Sequence, residues 1–152
     1  MPAYKSAFIF GNSPVYQQDG GAIVEDDTAT IPAVALVIGD TIDMLRVSGG
    51  TRLQFLAKQN TALDSGATLT YSLGFRPADS GGVLVANASF FGVGFTDLRA
   101  AVPGSAKTQY AFPPTDFNED IIIFATVTAA ATGSPGVGTV TTFMTGKARG
   151  VK

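Results

Sequence analysis

The stretch TRLQFLAKQNTALDSGATLTYSLGFR, Thr51 to Arg76, has the clearest pattern in the chain. Apolar and polar residues alternate in it with a period of two, the spacing of side chains along one face of a β-strand. In the first half, Leu53, Phe55 and Ala57 alternate with Gln54, Leu56 and Lys58. In the second half the alternating apolar residues are Leu69, Tyr71, Leu73 and Phe75. The pattern predicts two strands, each with one face towards a core.

Between these strands lie residues that favour a turn: Asn60, Asp64, Ser65 and Gly66. Their short side chains can bond to the local backbone, and glycine can adopt a positive φ. We therefore predict a central hairpin with a structural role, since it carries no recognisable arrangement of catalytic groups.

Similar strand patterns occur on both sides of this hairpin. The predicted strands are Thr30 to Val37, Thr41 to Val47, Thr108 to Phe112, Asp120 to Ala130 and Thr139 to Thr145. Pro32 has no N–H for a ladder, so it places the first of them at a sheet edge or delays its start. Pro77 to Gly82 and Thr132 to Gly138 have the composition of loops.

The segment Val83 to Val102 is ambiguous. Phe91, Phe95, Leu98 and Val102 have helical spacing, and Asn87 could cap a helix. Two internal glycines, Gly92 and Gly94, each disfavour a helix by about 1 kcal/mol relative to alanine. We predict one short helix near Thr96 to Ala101.

The predicted fold class is all-β: an antiparallel β-sandwich or jelly-roll of about eight strands with at most one short helix. A length of 152 residues suits one domain, and 18 glycines and 8 prolines suit many tight turns. We expect an N-terminal arm or edge segment over residues 1–28, the sandwich over 29–146, and a flexible basic tail over 147–152.

The N-terminal segment contains a group of apolar and aromatic residues that we take as a candidate interface: Tyr4, Phe8, Ile9, Phe10 and Tyr16. Two interpretations remain open. The segment could cover the domain's own core, or it could leave the domain and lie on a neighbouring subunit. Burial of the arm alone would roughly balance the entropy lost on ordering it, so an arm would also need pairing to a sheet edge or many copies.

The composition argues against catalysis. The chain has no histidine and no cysteine, which removes the commonest general base and metal ligand and all thiolate sites. Most carboxylates lie beside turn residues. Asp116, Asn118 and Asp120 have the alternation of a calcium loop but lack its glycine and distal glutamate, so a turn is the better interpretation. We expect no enzyme, no catalytic residues, no metal and no cofactor.

Net charge and hydropathy indicate which kinds of partner the protein is expected to bind. A net charge of −2 gives no electrostatic surface for nucleic acid; the basic residues of the tail, Lys147, Arg149 and Lys152, are expected to be solvated. No apolar run has the length of a membrane span, and the first residues lack a signal-peptide core. We expect a protein made in a cytoplasm, with no nucleic-acid or membrane partner.

The run from Ile38 to Pro77 resembles capsid decoration (cement) proteins of tailed bacteriophages. The similar parts are Gly39-Asp40, Thr51-Arg52-Leu53 and Leu63 to Thr68, with the segment Phe90 to Ala101 and the closing strands. The resemblance implies a jelly-roll on the outside of a phage head that bridges major capsid proteins and often self-associates as a dimer or trimer. It implies a virion location and no catalytic residues.

Two other classes stay open at this point. A receptor- or carbohydrate-binding jelly-roll of a tail fibre would need exposed aromatics, for which Tyr16, Tyr110 and Phe112 are the candidates. A fimbrial or surface-layer subunit is the other alternative.

Overall fold

Ten β-strands make up the regular structure of the computed structural model, which describes residues 2–5 and 21–149. Their bounds are β1 Ala3–Lys5, β2 Ala22–Ile31, β3 Thr41–Val47, β4 Thr51–Asn60, β5 Thr70–Pro77, β6 Asn87–Phe95, β7 Thr108–Gln109, β8 Thr115–Phe117, β9 Ile121–Ala129 and β10 Gly138–Ala148. Over these residues there is no helix, and therefore none long and apolar enough to cross a membrane.

The strands form two sheets that enclose one core. The first has the order β1-β3-β9-β5-β6, and the second has the order β2-β10-β4-β7, with β8 also paired to β4. Apart from the parallel pair β1–β3, all pairs are antiparallel. β2 pairs with β10, β3 with β9, β4 with both β7 and β8, and β5 with β6. This nesting is that of a jelly-roll, so the predicted fold class is confirmed.

The predicted central hairpin is wrong. Its two strands are β4 and β5, and they lie in different sheets. The connecting residues 61–69 cross from one sheet to the other, and Asp64 binds their backbone together. The turn residues were recognised, but a crossover between layers uses the same residue types as a hairpin turn. The strand β5 follows its pattern, with Leu69, Tyr71, Leu73 and Phe75 all buried.

A bulge in β4 changes which residues face the core. Leu53 pairs with Gly146 and Phe55 pairs with Thr145, so Gln54 has no partner across the ladder. An unpaired residue shifts the alternation by one. Leu53 and Leu56 consequently both lie in the core, whereas Phe55 is only half-buried. Lys58, predicted to face outwards, becomes completely buried.

The predicted short helix near residues 96–101 is also wrong. Residues 87–95 form the edge strand β6, and residues 96–100 are turns and bends. Gly92 and Gly94 have positive φ values of 133° and 71°, which interrupt a helix and bend an edge strand. Asn87 accepts a hydrogen bond from the N–H of Ser89, so it organises the start of the strand instead of capping a helix.

The strands β2 and β10 lie partly in the segments predicted as arm and tail. β2 pairs with β10 from Ile31↔Gly138 to Ala22↔Lys147, so the boundaries expected at residues 28 and 147 both fall inside strands. The strand predicted from Thr30 ends at Ile31, because Pro32 cannot donate to the ladder. β2 carries Glu25, Asp26 and Asp27, residues that disfavour strands, and its pattern was missed for that reason.

Candidate functional site

Of the predicted interface residues, Tyr4 alone is described by the structure. It lies on β1, opposite Ile42 of β3, and packs half-buried against the core. Burial, followed by the nearby Asp40 carboxylate, raises the pKa of its phenol. Phe8, Ile9, Phe10 and Tyr16 lie outside the described residues, so the N-terminal interface stays a prediction.

One end of the sandwich exposes a group of aliphatic side chains. The connections 32–40 and 130–137 lie together there, joined by a hydrogen bond from Ala131 N to Leu36 O (2.9 Å), and Gly39 N donates to Val127 O of β9 (2.9 Å). They expose four residues that we call the aliphatic rim: Val34 (48%), Val37 (51%), Ile38 (59%) and Val137 (68%). Exposed aliphatic side chains grouped in this way are typical of a protein–protein contact.

The backbone under the aliphatic rim is held in place. Leu36 is fully buried in the core, and Asp40 accepts a hydrogen bond from the N–H of Val37 (2.9 Å). The N–H of Val127 in turn donates to the carbonyl of Asp40 (2.9 Å). A rim fixed in this way loses little conformational entropy on binding.

The opposite end has a smaller apolar projection. Val83 and Val85 are 92% and 83% exposed. The carboxylate of Glu119 accepts hydrogen bonds from the N–H groups of Val83 (3.0 Å) and Leu84, which fixes this loop. These residues border a shallow cavity of about 450 Å³. No titratable group other than Glu119 lines it, so it offers no constellation for acid–base chemistry.

Sequence reasoning missed a buried polar cluster next to the core, formed by Lys58, Asn60, Tyr71, Asp97 and Tyr110. The amine of Lys58 is 2.5 Å from Asn60 Oδ1 and 3.0 Å from Asp97 Oδ2. The Tyr71 hydroxyl donates to Asp97 Oδ1 (2.6 Å) and is 2.6 Å from the Tyr110 hydroxyl. The bulge at Gln54 turns Lys58 inwards, and alternation alone gives no signal for it.

Burial dominates the electrostatics of this cluster. It lowers the pKa of the Lys58 amine, although the adjacent Asp97 carboxylate opposes the shift. It also raises the pKa values of the Tyr71 and Tyr110 phenols, with Asp97 adding to both. Both phenols therefore stay protonated and act as hydrogen-bond partners.

The other candidate sites are occupied by structural contacts. Asp120 accepts hydrogen bonds from Arg46 (2.7 Å) and Gly49 N (2.8 Å), while Asp116 lies beside Arg52 and Arg149. No group of carboxylates within residues 2–5 and 21–149 could hold a metal ion. Tyr110 is buried, and Phe112 packs on Phe91 with ring centroids 5.0 Å apart. Tyr110 is therefore not available to stack on a sugar, and Phe112 is half-buried in its contact with Phe91.

Glu25 gives the first testable prediction. Burial raises its pKa to about 7, so the fold favours the neutral acid. The stability that this provides is fully present below the unfolded pKa, about 4.3, and is lost as the pH rises through about 7. We expect the wild type to lose stability to urea between about pH 5 and about pH 8, and Glu25→Gln to lose much less.

The control for this prediction is Asp26→Asn, which changes the neighbouring exposed carboxylate on the same strand. No histidine interferes in this pH range. Equal pH dependence in the wild type and Glu25→Gln would contradict the assignment.

Comparison with known proteins finds the same fold in phage capsids. A chain in the capsid of Ralstonia phage GP4 aligns with a TM-score of 0.73 at 16% identity, covering 99% of this chain and 100% of that one. A chain of the cyanophage Pam1 capsid asymmetric unit gives 0.62 at 16% identity, with 90% and 91% covered. A chain of the acidic stable capsid of Helicobacter pylori bacteriophage KHP30 gives 0.50 at 12% identity, with 83% and 91% covered. No family model and no curated protein matches the sequence. At these identities the likeness shows the fold.

Proposed function

We propose that this chain is a structural virion protein that binds the outside of a phage head and cements neighbouring subunits of the major capsid protein. The observation that carries the proposal is that this chain and a phage capsid chain match in length as well as in fold. Nearly all of this chain aligns with the whole of a chain in the Ralstonia phage GP4 capsid. Capsid structures of two other phages contain chains of the same fold. Such a match favours a building unit over a catalytic domain.

The surface of the jelly-roll suits this role. The aliphatic rim offers an ordered apolar contact at one end, and Val83 with Val85 offers a smaller one at the other. Burying a valine or isoleucine side chain completely contributes about 1.5–3 kcal/mol, and these residues are already partly buried. One rim therefore offsets only part of the cost of association. Several contacts per copy and many copies per particle would make such binding effective.

The candidate N-terminal residues fit the same proposal. An arm containing Phe8, Ile9, Phe10 and Tyr16, following β1 on which Tyr4 packs against the core, would add a second contact, to the shell or to another copy in a dimer or trimer. The edge strands β2 and β6 provide backbone groups with which such an arm could pair.

The copy number of the chain in purified phage particles tests the proposal. The head lattice fixes how many copies of a cement protein bind per copy of the major capsid protein. Quantitative mass spectrometry of density-purified particles measures this ratio. A handful of copies per particle would place the chain in a tail or fibre instead. Absence from the particle would refute a virion role.

The aliphatic rim gives a second testable prediction. The double substitution Val37→Asp with Ile38→Asp is expected to weaken binding to heads that lack the protein by at least about tenfold, because it places two charges in an apolar contact. Co-sedimentation of purified chain with such heads measures the effect.

The comparison variant is Val85→Asp, which places a charge at a more exposed valine at the other end of the sandwich. Circular dichroism confirms that both variants are folded. A loss of binding in Val85→Asp alone would assign the contact to the other end.

A further inference from the structure

The amine of Lys58 is enclosed in an unusual position for a lysine. The side chain has no exposed surface, whereas lysine is almost never fully buried unless it is paired. Its two contacts are the side-chain oxygen of Asn60 at 2.5 Å and the carboxylate of Asp97 at 3.0 Å. A nucleophile, a carboxamide and a carboxylate thus meet at an amine that has no exposed surface.

The carboxamide of Asn60 is fixed with its carbonyl towards the amine. Its Nδ2 donates to the carbonyls of Thr61 (2.7 Å) and Ala100 (3.0 Å), so the nitrogen points away from Lys58 and the oxygen towards it. Lys58 and Asn60 lie two residues apart on β4 and therefore share one face of the strand. The carboxamide carbon is one bond from the oxygen that Lys58 contacts.

The carboxylate of Asp97 is fixed too. Its Oδ1 accepts the Tyr71 hydroxyl at 2.6 Å, and the other oxygen faces the amine of Lys58. Its side chain is 25% exposed, so Asp97 links the buried amine to the surface of the protein. Asp97 is therefore placed to accept a proton from the amine and to donate it again.

We propose that Lys58 and Asn60 form an intramolecular amide bond, with Asp97 as the acid–base residue. Asp97 takes a proton from the Lys58 ammonium, and the neutral amine attacks Cγ of Asn60. Asp97 then gives this proton to the carboxamide nitrogen, which leaves as ammonia, and accepts the second proton that the attacking nitrogen must lose, which passes on to solvent. One N–C bond forms and one breaks, with no change of oxidation state.

The reaction also removes an energetic conflict. A buried ammonium is costly even when it is paired, and burial already lowers the pKa of this amine. The product amide is neutral, and its N–H remains beside Asp97. The carboxylate left behind is the member of the pair that retains contact with solvent.

Intact-mass spectrometry of the full chain tests this inference. Folded wild type is expected to be lighter than its sequence mass by one ammonia, while the same chain kept unfolded in denaturant retains the full mass. In tandem spectra, backbone fragments from between Lys58 and Asn60 should be missing, because the new bond closes a ring around them. An unchanged mass in the folded protein would overturn the proposal.

Variants separate this bond from other ammonia losses. Lys58→Met should retain the full mass, whereas succinimide formation at an asparagine would still remove ammonia. Asp97→Asn should slow the loss at least about a hundredfold. Loss of one water in place of ammonia, with Lys58 linked to Asp97, would refute the assignment of Asn60. If a variant does not fold, the comparison of folded and denatured wild type still decides.

Discussion

Replacing Asp64 by alanine is expected to lower the free energy of unfolding by at least about 4 kcal/mol. The Asp64 carboxylate is almost fully buried in the crossover between the two sheets. It accepts hydrogen bonds from the backbone N–H groups of Gly66, Thr68, Leu69 and Thr132. Alanine would leave these donors without their acceptor, and a buried donor without a partner is costly.

Urea denaturation measures this effect, and Asp79→Ala is the matched control. Asp79 is an exposed aspartate in another loop, so its replacement should change stability by no more than about 0.5 kcal/mol. Similar stabilities for the two variants would show that the backbone of the crossover does not depend on the carboxylate.

The pH dependence provides an independent check on Asp64. Desolvation opposes ionisation of this carboxyl, but the four backbone donors outweigh it and lower its pKa. The stabilisation is therefore fully present above the unfolded pKa, about 3.9, and is lost as the pH falls towards the lower folded value. The wild type should lose more stability than Asp64→Ala on acidification below about pH 4.

Gly74→Val is expected to have a similarly large effect, because the backbone of β6 leaves no room for a side chain at Gly74 of β5. A Cβ built there would lie 2.0 Å from the carbonyl oxygen of Asn87 and 2.5 Å from the Cα of Ala88. Both are backbone atoms, so no rotamer change can relieve the contact. We expect β6 to detach locally and stability to fall by at least about 3 kcal/mol.

Thermal unfolding and hydrogen exchange of the β6 amides measure the consequence of Gly74→Val. Gly81→Val is the control, since no atom lies within 4 Å of a Cβ at that glycine. Native-like exchange protection across β6 in Gly74→Val would show that the two strands can separate without cost.

The sequence predicted features that depend on neighbouring residues and missed those that depend on distant ones. Alternation in β5 and the long apolar run of β9 identified central strands, since these follow the side-chain period directly. The sheet to which each strand belongs depends on pairing across the whole chain, so the crossover at Asp64 was taken for a hairpin. The spacing of apolar residues around Phe91 and Phe95 fits both a helix and a strand. The positive φ values of Gly92 and Gly94 interrupt a helix, and the segment forms the strand β6.

The candidate sites follow the same division. The absence of histidine and cysteine argued against common chemistry from composition alone. The position of Lys58 depends on an unpaired Gln54 opposite β10, which no local pattern shows. The aliphatic rim joins two loops that are distant in sequence, and the loops meet because β2 pairs with β10 and β3 pairs with β9.

The pairing of β2 with β10 also has a consequence for how the protein forms. Ala22 lies opposite Lys147, so β2, which is synthesised first, finds its partner only after β3 to β9 and then β10 have been synthesised. Contacts so far apart in sequence slow folding, because a large loop must close before they contribute. The sandwich is therefore expected to fold only once β10 has been synthesised, on the slow side for its size. Until then the backbone edge of β2 is free to pair with another copy.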